Sequence, residues 1–239
     1  MEVHHHSHTS RKKWSHYLWE FFMLFMAVTL GFFVENQREH YVEKQRGVKY
    51  VKSFVDDLVQ DTSYFSGLLA VYQEKENALD SIFECYDTVT GKIYSNVCLL
   101  RLAEHSTGFP DFVYTDRTLQ QLKNAGGLRL LNTADADSIA NYDVTVRSMQ
   151  VNETTELQET QTLLRSIMYE LFNFNAQRGV TAENKIPILS EDNKPLINKY
   201  FNVLYHYRWV IQGQIYFFKR LITKTTSLIS YFKKEHYFK

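Results

Sequence analysis

Four histidines near the N-terminus are the residues best suited by type to hold a metal ion. They are His4, His5, His6 and His8, and only three of them are consecutive. Neutral imidazole is a common ligand of divalent transition metals, and short His-rich tracts can bind them. A flexible native tail with no metal is the simpler interpretation. We assign no metal site and keep zinc or copper binding as an alternative hypothesis.

A second chemical feature is a carboxylate inside an apolar run. Glu20 is costly in such a place unless it faces a partner or water. Glu20, Leu24, Ala27 and Gly31 follow one another at steps of four, three and four, which is one face of a helix. Ala27 and Gly31 form a small-xxx-small pair that lets two backbones approach closely. We predict a helix interface on this face; the alternative is that Glu20 reaches the lipid headgroups.

The two cysteines, Cys85 and Cys98, flank a predicted turn at Gly91. Two helices meeting at that turn would bring the thiols within disulfide reach, and a location outside the cytoplasm would permit the bond. Two buried free thiols are an equally good interpretation. The spacing matches no metal or redox motif.

No recognisable catalytic constellation is present in the sequence. It has no Gly-rich phosphate loop, no GxSxG and no HExxH. Asp56, Asp57 and Asp61 lie on one predicted helix, where a solvated face explains them. We therefore predict a protein that is not an enzyme and needs no cofactor.

The element that positions Glu20 is the apolar stretch at residues 17–34, reading YLWEFFMLFMAVTLGFFV. Residues 18–34 rise about 25 Å as a helix, close to the roughly 30 Å of a bilayer core. We predict a single membrane-spanning helix. A secretory signal peptide has the same basic start and apolar core, but no small-x-small cleavage pattern follows, and the run leads into a charged helical segment. An uncleaved signal-like start is therefore the main alternative. A buried globular helix would normally show a polar face, and residues 21–30 have none beyond Thr29.

The basic residues around this stretch bear on its orientation. Residues 11–13 are a tight cluster before the span, whereas Arg38, Lys44 and Arg46 follow it mixed with acids. Basic flanks favour the cytoplasmic side. We predict a bacterial inner-membrane protein crossing once, with the N-terminus in the cytoplasm and the C-terminal domain in the periplasm.

The rest of the chain predicts an all-α fold. Nine Gly and three Pro among 239 residues favour long regular elements. The 27 basic and 27 acidic residues balance, so nothing indicates a nucleic-acid partner. We divide the chain into a basic, His-rich tail (1–15), a transmembrane helix (16–35) and a helical bundle domain (36–239).

Apolar residues at alternating steps of three and four place the helices of this bundle. One helix continues from the span to about residue 88, a second begins at Thr133, and a last one runs from near Pro195 to about residue 234. We expect the last two to pack antiparallel. A short helix is predicted at 97–105. The polar stretch 152–162 is interpreted as solvated, with a kink or a binding place for a partner as the alternatives.

Two stretches resemble the signatures of an uncharacterised bacterial family of short single-pass membrane proteins. Residues 14–46 read WSHYLWEFFMLFMAVTLGFFVENQREHYVEKQR after the histidine run, and residues 118–131 read TLQQLKNAGGLRLL. Gly127 departs from the second signature, which has a polar residue there. The resemblance implies a topology and a native His-rich tail, but no catalytic residues.

These features predict a membrane-anchored helical scaffold whose partners are the lipid bilayer and either another protein or further copies of itself. One alternative is a sensor or energy-transducing component that uses Glu20. The other is a metal-binding protein that uses the histidine run.

Overall fold

The computed structural model describes residues 14–87, 89–90, 92–93, 108–172 and 193–234. The histidine run, Cys98, the turn at Gly91 and the short helix predicted at 97–105 lie outside the described residues. The described part is nearly all helical, as predicted. Its α-helices are α1 (Trp14–Phe83), α2 (Arg117–Asn124), α3 (Thr133–Asn152), α4 (Gln158–Leu171) and α5 (Lys194–Lys234).

Shorter elements connect these helices. A 3-10 turn occupies Gly127–Leu130, and a π-helical turn, Glu153–Leu157, joins α3 to α4. The strands β1 (Tyr86–Asp87) and β2 (Lys92–Ile93) pair antiparallel after α1.

The 70-residue helix α1 confirms that the apolar stretch continues directly into the next helix. It ends at Phe83, a few residues before the predicted end. The chain divides within α1 into two compact units, Met1–Lys49 and Tyr50–Lys239. The second unit contains the bundle core.

Ring contacts show how α1 and α5 run past each other. Phe54 of α1 meets Phe232 of α5 at 6.0 Å between ring centroids, and Tyr72 meets Phe218 at 5.4 Å. The contacting residues have increasing numbers along α1 and decreasing numbers along α5, so the two helices are antiparallel. All four rings are buried, and Tyr72, Phe218 and Phe232 lie on the seams of apolar residues that the sequence predicts.

Hydrogen bonds show the same arrangement between α5 and the pair α3 and α4. Tyr231 donates to Asp135 Oδ1 at 2.8 Å, whereas Gln161 donates to the hydroxyl of Tyr207 at 3.1 Å. The predicted antiparallel packing is therefore confirmed. The core lies between α1, α5 and the α3–α4 pair.

The solvated interpretation of residues 152–162 is wrong for part of that stretch. Glu153 and Leu157 are buried, and Glu153 Oε1 accepts a hydrogen bond from the backbone N–H of Phe112 at 2.7 Å. The reason is the π-helical turn, because its wider spacing shifts the helical register within an otherwise polar stretch. Glu156, in the same turn, remains exposed.

A tight turn precedes α3. Gly126 has a φ of 67°, the left-handed region that favours glycine. A Cβ on Gly127 would lie 3.0 Å from the backbone of Leu122, so any larger residue would require this neighbour to shift by a few tenths of an ångström. Leu128 and Leu131, which follow this turn, pack against the core. The N-cap of α3 is Asn132, whose side chain accepts from Asp135 N at 2.9 Å.

Candidate functional site

The apolar part of α1 is exposed along its whole length. An 18-residue window of α1 is apolar enough to span a membrane, with a mean hydropathy of 1.8, and none of it is buried. Among the described residues, α1 is therefore the one helix that is both long enough and apolar enough to cross a membrane. A signal sequence near an N-terminus satisfies the same criteria of length and composition.

The four predicted interface residues all lie on this exposed helix. Since α1 is continuous there, Glu20, Leu24, Ala27 and Gly31 share one face of it. Leu24 is 66% exposed, and a Cβ added at Gly31 would meet nothing within 4 Å. The described residues of the chain leave this face uncovered. Its role as a helix interface stays a prediction.

Glu20 is not isolated on α1. Its Oε1 lies 3.0 Å from Nε2 of His16, one turn toward the N-terminus. Both side chains are about half exposed. The sequence analysis did not foresee this contact, although the i, i+4 spacing could have indicated it.

In the bundle, the solvated interpretation of the aspartates of α1 is wrong for two of the three. Asp57 is 1% exposed and Asp61 is 3% exposed, whereas Asp56 is exposed. Asp57 and Asp61 are one helical turn apart and face the interior. Burying a carboxylate is costly unless it is hydrogen-bonded, so their partners are informative.

Asp61 accepts hydrogen bonds from residues in distant parts of the chain. Oδ1 accepts from the backbone N–H and the hydroxyl of Thr115, both at 2.8 Å. Oδ2 accepts from the hydroxyl of Tyr142 at 3.0 Å. Burial raises the pKa of Asp61 despite these donors. Burial and the neighbouring carboxylate also raise the pKa of Tyr142.

Asp57 binds the first residues of α2. Its Oδ1 lies 2.7 Å from Nη2 of Arg117, and its Oδ2 accepts from the hydroxyl of Thr118. The arginine side chain is largely exposed, so the ion pair lies at the rim of the core. The carboxylates of α1 thereby fix the start of α2.

These contacts belong to a set that holds residues 108–118, which we call the crossing segment, against the bundle. Lys75 Nζ donates to Gly108 O, and Tyr64 donates to Asp111 O at 2.6 Å. The ring of Phe112 stacks on Phe65 with 5.5 Å between centroids. The buried acids thus act structurally, because their oxygens already accept hydrogen bonds from the protein. No group of three or more metal-ligating side chains occurs among the described residues.

Cys85 is buried and disulfide-bonded. The interpretation of two free thiols is therefore wrong for Cys85. The other cysteine of the sequence, Cys98, lies outside the described residues.

Sequence reasoning also missed an exposed aromatic face on α5. Tyr205, Trp209 and Tyr216 are each more than half exposed, although they alternate with buried seam residues. Their positions fall at the steps of four and seven that place residues on one helix face. This spacing is visible in the sequence, but the more regular pattern of buried apolar residues on the same helix was the one used to predict α5.

Lys75 gives the bundle a testable pH dependence. Burial lowers the pKa of its ammonium to about 8, from 10.5 in the unfolded chain. Between these values the unfolded chain binds more protons, so the free energy of unfolding rises as pH increases above about 8. We expect this rise in urea unfolding curves recorded from pH 7 to about 9, because tyrosines of the unfolded chain ionise mainly at higher pH, near their pKa of about 10.

Lys75→Met should reduce this rise, because it removes the buried ammonium. Lys219→Met, at an exposed position on α5, is the matched control and should retain it. An equal rise in both variants would contradict the assignment to Lys75.

In comparisons with known proteins, no family model matches the chain, and neither a curated protein nor a solved structure is similar to it.

Proposed function

We propose that this chain is a membrane-anchored helical scaffold, without enzymatic activity, that docks a protein partner or associates with copies of itself. The observation that carries the proposal is that the apolar window of α1 is completely exposed. The bundle does not use this window for its hydrophobic core, which is formed by other residues. Water-soluble proteins rarely expose apolar patches of this extent. A bilayer would cover the whole window, since each large apolar side chain gains about 1.5–3 kcal/mol on burial.

Two features support a bacterial inner membrane with the bundle in the periplasm. The basic cluster at residues 11–13 favours a cytoplasmic N-terminus. The disulfide at Cys85 fits an oxidising compartment, because disulfides persist there and are rare in the cytosol. A single pass places the two ends of the chain on opposite sides.

Docking is supported by the surfaces that the described residues leave uncovered. On the span these are the four residues of the Glu20 face, where Ala27 and Gly31 allow close helix contact. On the bundle it is the aromatic face of α5, and aromatic side chains are enriched at protein interfaces. A scaffold of this kind needs rigid helices and exposed contact faces, and it needs no reactive group.

Membrane fractionation tests the anchor. After alkaline carbonate extraction the full chain should stay in the membrane pellet, and its own N-terminal residues should still be attached. In spheroplasts, added protease should digest the bundle while an N-terminal epitope stays protected. A chain that washes off with carbonate, or that begins downstream of residue 35, would refute the anchor.

A further inference from the structure

A cavity of about 330 Å³ opens between α3 and α5. It is lined by Val144, Thr145, Ser148, Met149, Phe217, Arg220, Leu221 and Lys224. Its size falls within the range of small-molecule pockets, which are mostly apolar and carry a few convergent polar groups. No carboxylate is among these lining residues.

The two cations of this cavity are positioned by different contacts. Lys224 Nζ donates to the backbone carbonyl of Asn141 at 2.8 Å and to the hydroxyl of Thr145. An ammonium has three donors, so one is left for a ligand. Arg220 lies with its guanidinium carbon 5.7 Å from the ring centroid of Tyr216, and its N–H groups make no hydrogen bond to the described residues.

Three other cations of the bundle form ion pairs with carboxylates. Arg117 pairs with Asp57, Arg208 with Asp80, and Lys123 with Asp143. Arg220 and Lys224 form no ion pair within the part of the chain that the structure describes. Partial burial lowers the pKa of Lys224, and repulsion from the positive charge of Arg220 lowers it further. An anion placed between them would relieve both effects.

The rest of the cavity is apolar. Val144 and Phe217 form its exposed edges, while Met149 and Leu221 are buried beneath them. Thr145 and Ser148 add hydroxyl groups on the α3 side. The arrangement is therefore amphipathic, with a positive end that suits one charged group and an apolar part that suits a hydrocarbon body.

We propose that this cavity binds an organic anion, namely a single phosphate or carboxylate group that carries an apolar body. Arg220 and Lys224 hold the anionic group, because guanidinium and ammonium donors make strong charge-assisted hydrogen bonds with such oxygens. Phe217 and Val144 contact the apolar body. The same chemistry is found in a free organic phosphate and in the headgroup of an anionic lipid.

Phenyl phosphate is a suitable probe, since it combines both parts and dissolves in water. Calorimetric titration of the full chain in nanodiscs of neutral lipid should give saturable binding. Lys224→Gln and Arg220→Gln should each weaken it by about tenfold or more, because each removes a charged donor. Lys219→Gln, on the same helix but outside the cavity lining, is the matched control and should bind like the wild type. Inorganic phosphate should bind more weakly than phenyl phosphate.

Nanodiscs that contain an anionic phospholipid distinguish the two sources. A lipid headgroup in the cavity would compete and lower the affinity of the wild type for phenyl phosphate, whereas a free anion would leave the affinity unchanged; either result supports the site. Absence of saturable binding by the folded wild type would overturn the proposal. Equal affinity of the wild type and a Lys224→Gln, Arg220→Gln double variant would also overturn it.

Discussion

Replacing Asp61 with alanine is expected to lower the free energy of unfolding of the bundle by about 3 kcal/mol. The carboxylate accepts three hydrogen bonds, two from Thr115 and one from Tyr142. Alanine would leave these donors without an acceptor, and Tyr142 is fully buried. A buried donor without a partner costs about 1–3 kcal/mol. Leaving several donors unpaired therefore costs more than is gained by no longer burying the carboxylate of Asp61.

Asp56→Ala provides the control for this measurement. Asp56 has the same side chain on the same helix but is exposed, so its replacement should change the free energy of unfolding by less than about 0.5 kcal/mol. Urea unfolding of the full chain, followed by helical circular dichroism, gives both values. If the two alanine variants are equally stable, Asp61 does not hold the crossing segment to the bundle.

The pH profile gives a second readout of the same residue. Burial raises the pKa of Asp61 in the folded protein above its unfolded value of 3.8. Between those two values the folded state binds more protons, so this group lowers the free energy of unfolding as pH rises through that window. The Asp61→Ala variant should lack this contribution, and Asp56→Ala should keep it.

Replacing Gly31 with leucine is expected to reduce association of the membrane helix by about tenfold or more. A small residue at this position lets a second backbone come close, and a leucine would hold it away. The substitution introduces no steric clash at the Cβ position, since a Cβ at Gly31 meets nothing within 4 Å. We therefore expect the stability of the bundle to stay unchanged.

Disulfide crosslinking in membranes measures this association. A Leu24→Cys chain should form crosslinked dimers, or a crosslink to a partner of different mass, and Gly31→Leu should remove that product. Thr29→Leu places the same side chain on the opposite side of α1 and should leave the crosslink intact. If Gly31→Leu crosslinks as well as the control, association depends on another surface and the predicted Glu20 face is not the interface.

Local patterns in the sequence were sufficient for the helical part of the architecture. The apolar stretch, its continuation into a long helix and the seams of α1, α3 and α5 all follow from residue spacing. A helix brings residues three and four apart onto one face whatever the rest of the chain does. The periodicity therefore carries over directly from sequence to structure.

The tertiary structure alone decided which polar residues are buried. In the sequence, Asp57 and Asp61 resemble a solvated helix face, because their donors lie more than fifty residues away, in the crossing segment and in α3. Glu153 is buried by a π-helical turn that no residue pattern announces. Arg220 and Lys224 line a cavity because α3 packs against α5 at that point. The physical reason is that helix periodicity is a local property, whereas the burial of a charge depends on which distant groups the fold brings to it.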